Sequence, residues 1–124
     1  MDKLKLPSWW KSRKWEIYLV PERALKDYEG MDKDKYRPVI ILNNDYDLFF
    51  KSIVVEVTTK KHPGYIKLDG LKFLSYIAID RIHTIDNCWL DNKHHIPTID
   101  IPKETKIKVV EFLVDKINKA KPIK

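Results

Sequence analysis

At 124 residues, 44% apolar and 11% aromatic, the chain has the size and composition of one globular domain with a single core, and is too apolar for a disordered one. Its 24 lysines and arginines exceed its 18 acidic residues by six charges, a balance that favours anionic partners, nucleic acid first. No run approaches the roughly 18–20 uninterrupted apolar residues of a membrane span, no apolar signal core follows the basic start, and the lone Cys88 excludes a disulfide framework and a thiolate metal site. A cytoplasmic, unprocessed protein is expected, with no membrane partner and with Cys88 as a small core residue.

Residues 1–13 carry Pro7, the pair Trp9 and Trp10 and several lysines. They read as a basic extension whose tryptophans bury against the domain or a partner. "WEIYLV" (Trp15 to Val20) is the first strand, bounded by Pro21. The charged segment "PERALKDYEGMDKDKY" reads as a long loop, with a short helical turn at Glu22 to Tyr28 and Gly30 as its bend. "PVIILN" is a continuous aliphatic run and so a central strand, closed by Asn43, Asn44 and Asp45. Arg37 stands just before it, either as an ordinary edge residue or as a charge held at the rim of a site. After a local aromatic plug in "NDYDLFFK", "SIVVEVTT" (Ser52 to Thr59) alternates. Ile53, Val55 and Val57 point one way, and Val54, Glu56 and Thr58 the other.

"HPG" makes a turn and "YIKLD" a short strand. "SYIAIDRIHTID" is a long strand whose apolar parity switches between Ile79 and Ile82, which predicts a bulge or bend. Turn material fills Asp91 to Pro102. Beyond it Ile107, Val110, Leu113, Val114 and Ile117 recur at helical spacing, predicting one amphipathic helix that packs across an open barrel mouth. The pattern predicts a mainly β, α+β domain: a compact, SH3-like small barrel with a C-terminal helix. The tail from Lys116, "KINKAKPIK", is lysine-rich and free of acids.

No dinucleotide-binding, phosphate-loop, zinc-protease or nucleophile-elbow motif is present. His94 and His95 are adjacent and so diverge, and no spaced carboxylates or cysteines accompany them, so neither a metal nor a cofactor is expected. The remaining chemistry lies in Arg37, Thr58, His62 and the polar stretch Asp80 to Asp86.

Three blocks in order, "RPVIILNND" (Arg37 to Asp45), "IVVEVTT" (Ile53 to Thr59) and "IDRIHTIDNCWL" (Ile79 to Leu90), resemble the signature segments of the MazF/PemK toxins. In that family an R-P-V-V-V-I-x-N-D strand precedes an I-V-A-x-[IL]-T-[SA] strand and a later segment close to L-x-Q-I-R-T-I-D. "KWEIYLV" sits where the family has R-G-D-[IV]-[YW], and "HPGYIKL" is similar to its x-P-T-H-V-x-[IL]. The resemblance runs from about Lys14 to Ile117, and the expected toxin domain spans residues 14–118, followed by a basic tail, 119–124.

The resemblance implies a compact SH3-like barrel and a type II toxin–antitoxin endoribonuclease that cleaves single-stranded RNA, usually mRNA, at short motifs without a metal, arresting growth. It implies a homodimer with a cognate antitoxin as partner, and the catalytic pair Arg37 and Thr58. A guanidinium suits a phosphorane carrying extra negative charge, and a hydroxyl can hold the reacting oxygens in line. His62 and His83 are both candidates for the base that takes the 2′-OH proton, because imidazoles ordinarily titrate near neutral pH. Lys35, Lys60, Lys61 and Arg81 are the expected RNA-binding cations.

The chain departs from the pattern where Trp15 and Glu16 replace glycine and aspartate, where "MDKDKY" replaces a glycine pair, in the short loop after Thr58, and where His83 replaces an arginine. The alternatives are a non-catalytic SH3-like module that binds nucleic acid or protein, and a gyrase-directed toxin of the same barrel type.

Overall fold

A computed structural model describes residues 14–25, 35–43, 51–97 and 100–119, with side chains to residue 116. The readings placed on the tryptophan extension, the far part of the long loop, the aromatic plug and the basic tail lie outside the described residues.

Among the described residues six strands form one antiparallel sheet: β1 (Ile17–Pro21), β2 (Tyr36–Ile41), β3 (Lys51–Thr58), β4 (Ile66–Leu68), β5 (Ser75–Asp86) and β6 (His95–Ile96). Their order across the sheet is β4-β5-β3-β2-β1-β6, curled into a half-barrel, and one helix, α1 (Lys103–Lys119), follows. The predicted α+β class is therefore the observed one. No helix among the described residues is long and apolar enough to cross a membrane.

Both faces of the sheet are covered, which is why "PVIILN" reads as unbroken aliphatic sequence. One face gathers Ile17, Ile40, Val55, Val57, Ile77 and Ile79 against Ile101 and Val109. The other gathers Tyr18, Val20, Val39, Ile41, Val54 and Ile85 against Ala24, Leu25 and Leu90. Each fully buried aliphatic side chain contributes about 1.5–3 kcal/mol relative to exposure. At the end of β2, Leu42 N–H donates to the Ile53 carbonyl at 2.8 Å, and Asn43 Oδ1 accepts from Ile53 N–H at 2.7 Å. Asn43 thus satisfies β3 backbone where the ladder runs out.

The expected bulge is present in β5. Val55 pairs with Ile82 but Glu56 pairs with Ala78, so Ile79, Asp80 and Arg81 are inserted between two consecutive partners of β3. The insertion absorbs the parity switch. Ile79 is buried in the first face and Ile82 packs against it, while Ile85 belongs to the second.

Three expectations need correction. Cys88 is exposed, because β5 ends at Asp86 and the 3-10 turn Asn87–Trp89 brings Trp89 and then Leu90, not the thiol, against the second core. The helix forms as predicted but rotated: Val109 is its buried contact, with Phe112 and Leu113 partly buried, while Ile107, Val110 and Val114 are about half exposed. Ile101, buried just before the helix, sets that phase. Finally, β6 lies inside the stretch read as turn material; two residues are too few to show alternation, and only their pairing with Ile17 and Tyr18 defines the strand.

Trp15 is the one described non-glycine residue with positive φ, at 70°. Its backbone N–H donates to the Ile41 carbonyl at 2.6 Å, and its ring packs on the first core with the Lys106 ammonium 5.8 Å from the ring centroid. The left-handed region disfavours a Cβ by about 1 kcal/mol or more, so packing holds the tryptophan where a glycine would sit without strain. Trp15→Gly and Trp15→Ala both delete the ring, but only alanine keeps the strain. Trp15→Gly is therefore expected to be the more stable variant by about 1 kcal/mol in urea denaturation.

Candidate active site

The register of β2 against β3 builds the site. Val39 lies opposite Glu56, and carrying that antiparallel register two residues further sets Arg37 across from Thr58. Alternation places Arg37, Val39 and Ile41 on one face of β2, and Val54, Glu56 and Thr58 on the same face of β3. The second core face thus begins apolar, with Ile41, Val39 and Val54, and ends in chemistry. There a cleft of about 450 Å³ opens, lined among others by Lys35, Arg37, Thr58, Lys60, His62 and Arg81.

Arg37 is anchored from below. After Pro21 the chain makes the 3-10 turn Glu22–Ala24, and Glu22 N–H donates to the Lys35 carbonyl at 3.0 Å, tying the turn to the start of β2. The Glu22 side chain is 6% exposed, with Oε1 3.3 Å from Arg37 Nε and 3.6 Å from Lys35 Nζ. A carboxylate this buried requires cations close by. It engages the guanidinium through its proximal nitrogen, and the terminal nitrogen pair is the forked part of the group that grips phosphate oxygens. Proline at 38 fixes the backbone just after Arg37 and keeps the arginine extended.

Thr58 Oγ1 accepts from Lys60 N–H at 3.1 Å in the turn that follows β3. The oxygen accepts from the backbone, and the hydroxyl hydrogen can donate to a ligand in the cleft. His62 lines the cleft, its ring edge-on to Tyr65 with centroids 5.0 Å apart. Tyr65 O–H donates to Asp80 Oδ1 at 2.8 Å. Burial, and then the Asp80 carboxylate, push the Tyr65 hydroxyl above its ordinary value, so it remains a donor at neutral pH.

Glu56 also lines the cleft, although its side chain is only 2% exposed. Its Oε2 lies 2.6 Å from His83 Nε2 and 3.7 Å from Arg81 Nη1. Of the two candidate histidines, His62 therefore faces the cleft, whereas His83 is buried against Glu56 and is not among the lining residues. Of the four expected RNA-binding cations, Lys35, Lys60 and Arg81 line the cleft, and Lys61 is exposed beside it. His94 and His95 do diverge: the His94 ring lies against Tyr36, while His95 stacks on Tyr18 with Nε2 3.3 Å from Glu16 Oε1. Among the described residues no group of three or more His, Cys, Asp or Glu side chains could hold a metal ion.

Sequence reading missed Glu22, Glu56 and Tyr65 as members of the site. Glu56 carried a signal, a carboxylate at the parity of Thr58 in an otherwise aliphatic strand. Glu22 carried none, being one acid in a charged loop.

No family model and no curated protein matches the chain by sequence. Solved structures do match its fold. An endoribonuclease from a mycobacterial species, in complex with its cognate antitoxin, superposes with a TM-score of 0.61 at 16% identity, covering 88% of this chain and 97% of the other. The Mycobacterium tuberculosis toxin MazF-mt6 gives a TM-score of 0.60 at 18% identity, covering 83% and 96%. MazF from Deinococcus radiodurans gives 0.62 at 14% identity, covering 85% and 94%. The chain has the α+β fold of the MazF toxins.

Proposed function

We propose that this protein is an endoribonuclease toxin of the MazF/PemK type, cleaving single-stranded RNA at the cleft where Arg37 faces Thr58. The observation that supports the reading is that the two family-motif residues, Arg37 and Thr58, line one cleft together with lysines and Arg81. The RNA 2′-OH attacks the adjacent phosphorus while its proton passes to a base, for which His62 has the position. Arg37 stabilises the charge that builds on the phosphorane oxygens, and the Thr58 hydroxyl holds an oxygen in line. The bond from phosphorus to the 5′-oxygen breaks, that oxygen takes up a proton, and the products carry a 2′,3′-cyclic phosphate and a 5′-OH.

The reaction as proposed needs no metal. The protein acts in the cytoplasm as a homodimer, restrained by an antitoxin that occludes the RNA-binding cleft. Among the matching structures, the mycobacterial endoribonuclease is in complex with its cognate antitoxin, and another is a MazE–MazF complex from Deinococcus radiodurans.

Incubation of purified protein with long single-stranded RNA in excess EDTA, followed by mapping of the ends, tests the reading. Products bearing cyclic phosphate and 5′-OH are expected, and they are expected to disappear in Thr58→Ala with the fold intact by circular dichroism. Intact RNA after prolonged incubation, with binding unaffected by that substitution, would leave the non-catalytic module as the better description.

A further inference from the structure

We propose that Arg81 is a second catalytic guanidinium, delivered to the scissile phosphate by the β5 bulge, and that Glu56 and His83 are the positioning residues that hold it there. The inference rests on the ribonuclease reading and deepens it. The bulge inserts Ile79, Asp80 and Arg81 between the partners of Val55 and Glu56. Bulges re-aim side chains and recur beside active sites. Here the insertion sets Arg81 in the lining of the same cleft as Arg37 and Thr58.

Arg81, like Arg37, has a buried carboxylate beside it, approached through a terminal nitrogen where Arg37 uses Nε. Each guanidinium lies against a carboxylate buried in the protein: Arg37 Nε is 3.3 Å from Glu22 Oε1, and Arg81 Nη1 is 3.7 Å from Glu56 Oε2. A solvated cation that merely attracts RNA has no need of a buried counter-ion. Glu56 is itself fixed by His83 Nε2 at 2.6 Å. Tyr65, whose hydroxyl donates to Asp80 in the bulge at 2.8 Å, lines the same cleft as Arg81. Two guanidiniums in one cleft, from the strands on either side of β3, match a phosphorane, whose equatorial oxygens carry the added charge that the ground-state phosphodiester lacks.

A catalytic role and a role in attracting RNA differ in which kinetic constant moves. With an oligoribonucleotide containing the mapped cleavage site, Arg81→Ala is expected to lower kcat by ~10–100-fold and to change KM by less than about threefold. Arg81→Lys, which keeps the charge and loses the fork, is expected to recover only part of that loss. Glu56→Gln keeps shape and a hydrogen-bond partner for His83 while removing the anchoring charge. It is expected to lower kcat without changing KM, and Glu56→Gln/Arg81→Ala is expected to be no slower than Arg81→Ala alone.

A raised KM with unchanged kcat in Arg81→Ala would overturn the proposal by reducing Arg81 to a backbone-binding cation. Additive losses in the double variant would overturn the positioning role of Glu56. If the wild-type protein cleaves no RNA, the ribonuclease reading falls first and this proposal with it. A wild type that cleaves while Arg81→Ala is unimpaired sinks the proposal alone. Should Glu56→Gln fail to fold, the Arg81 pair still decides on Arg81 itself.

Discussion

Arg37→Lys is expected to lower kcat for RNA cleavage by ~10²–10³-fold with little change in folding stability. Lysine preserves the positive charge beside Glu22, which is 6% exposed and depends on cations at 3.3 and 3.6 Å. What it removes is the planar fork. An ammonium can sit near one phosphate oxygen but cannot bind two at once while lying against a carboxylate behind it. Arg37→Ala separates the two roles of the residue. It is expected to abolish cleavage as well and, in addition, to destabilise the fold by on the order of 1–3 kcal/mol, because Glu22 loses the nearer of its cations. The partial exposure of Arg37, whose side chain is 27% accessible, keeps that figure below the range of a wholly buried pair. Steady-state kinetics on a defined RNA together with urea denaturation checks both halves. Loss of cleavage in Arg37→Lys accompanied by an equal loss of stability would mean that Arg37 is structural.

The sequence and the structure agree where a signal is local. Alternation in "IVVEVTT" put Glu56 and Thr58 on one face, and the register confirms that face as the one running into the cleft. The parity switch between Ile79 and Ile82 located the bulge to the residue pair, because an inserted segment must reset which side chains point inward. Arg37 was legible as an awkward charge before a buried strand.

Partnerships across long separations were not legible. Nothing in "PERALK" distinguishes Glu22 from other loop acids, since its burial depends on a 3-10 turn folding back under the start of β2. The helix shows the same limit differently. Its apolar residues occupy more of its circumference than one contact can cover, so spacing predicts a helix but not the face buried. Trp15, at φ 70°, is legible only once the structure shows a backbone state suited to the glycine of the similar family pattern.

The site is thus two layers deep, and the lower layer belongs to the fold as much as to the chemistry. His83→Leu is expected to destabilise the protein by about 3–5 kcal/mol, because Glu56, 2% exposed, then loses the imidazole that lies 2.6 Å from its carboxylate. For a domain of this size that is a large share of the roughly 5–15 kcal/mol of total stability. Removing both ends of the pair is a different perturbation. In Glu56→Leu/His83→Leu no carboxylate is left buried between β3 and β5, the neighbouring Val54, Val55 and Val57 are already apolar, and the double variant is expected to be nearly as stable as wild type. The coupling energy from the double-mutant cycle should then be about 3 kcal/mol. Catalysis is expected to separate from stability in the same protein. The double variant folds but leaves Arg81 without its anchor, so its kcat should fall to the level of Arg81→Ala. A double variant that folds and cleaves like wild type would show that the buried pair serves only the core, whereas one that folds and cleaves slowly identifies it as the support on which the second guanidinium stands.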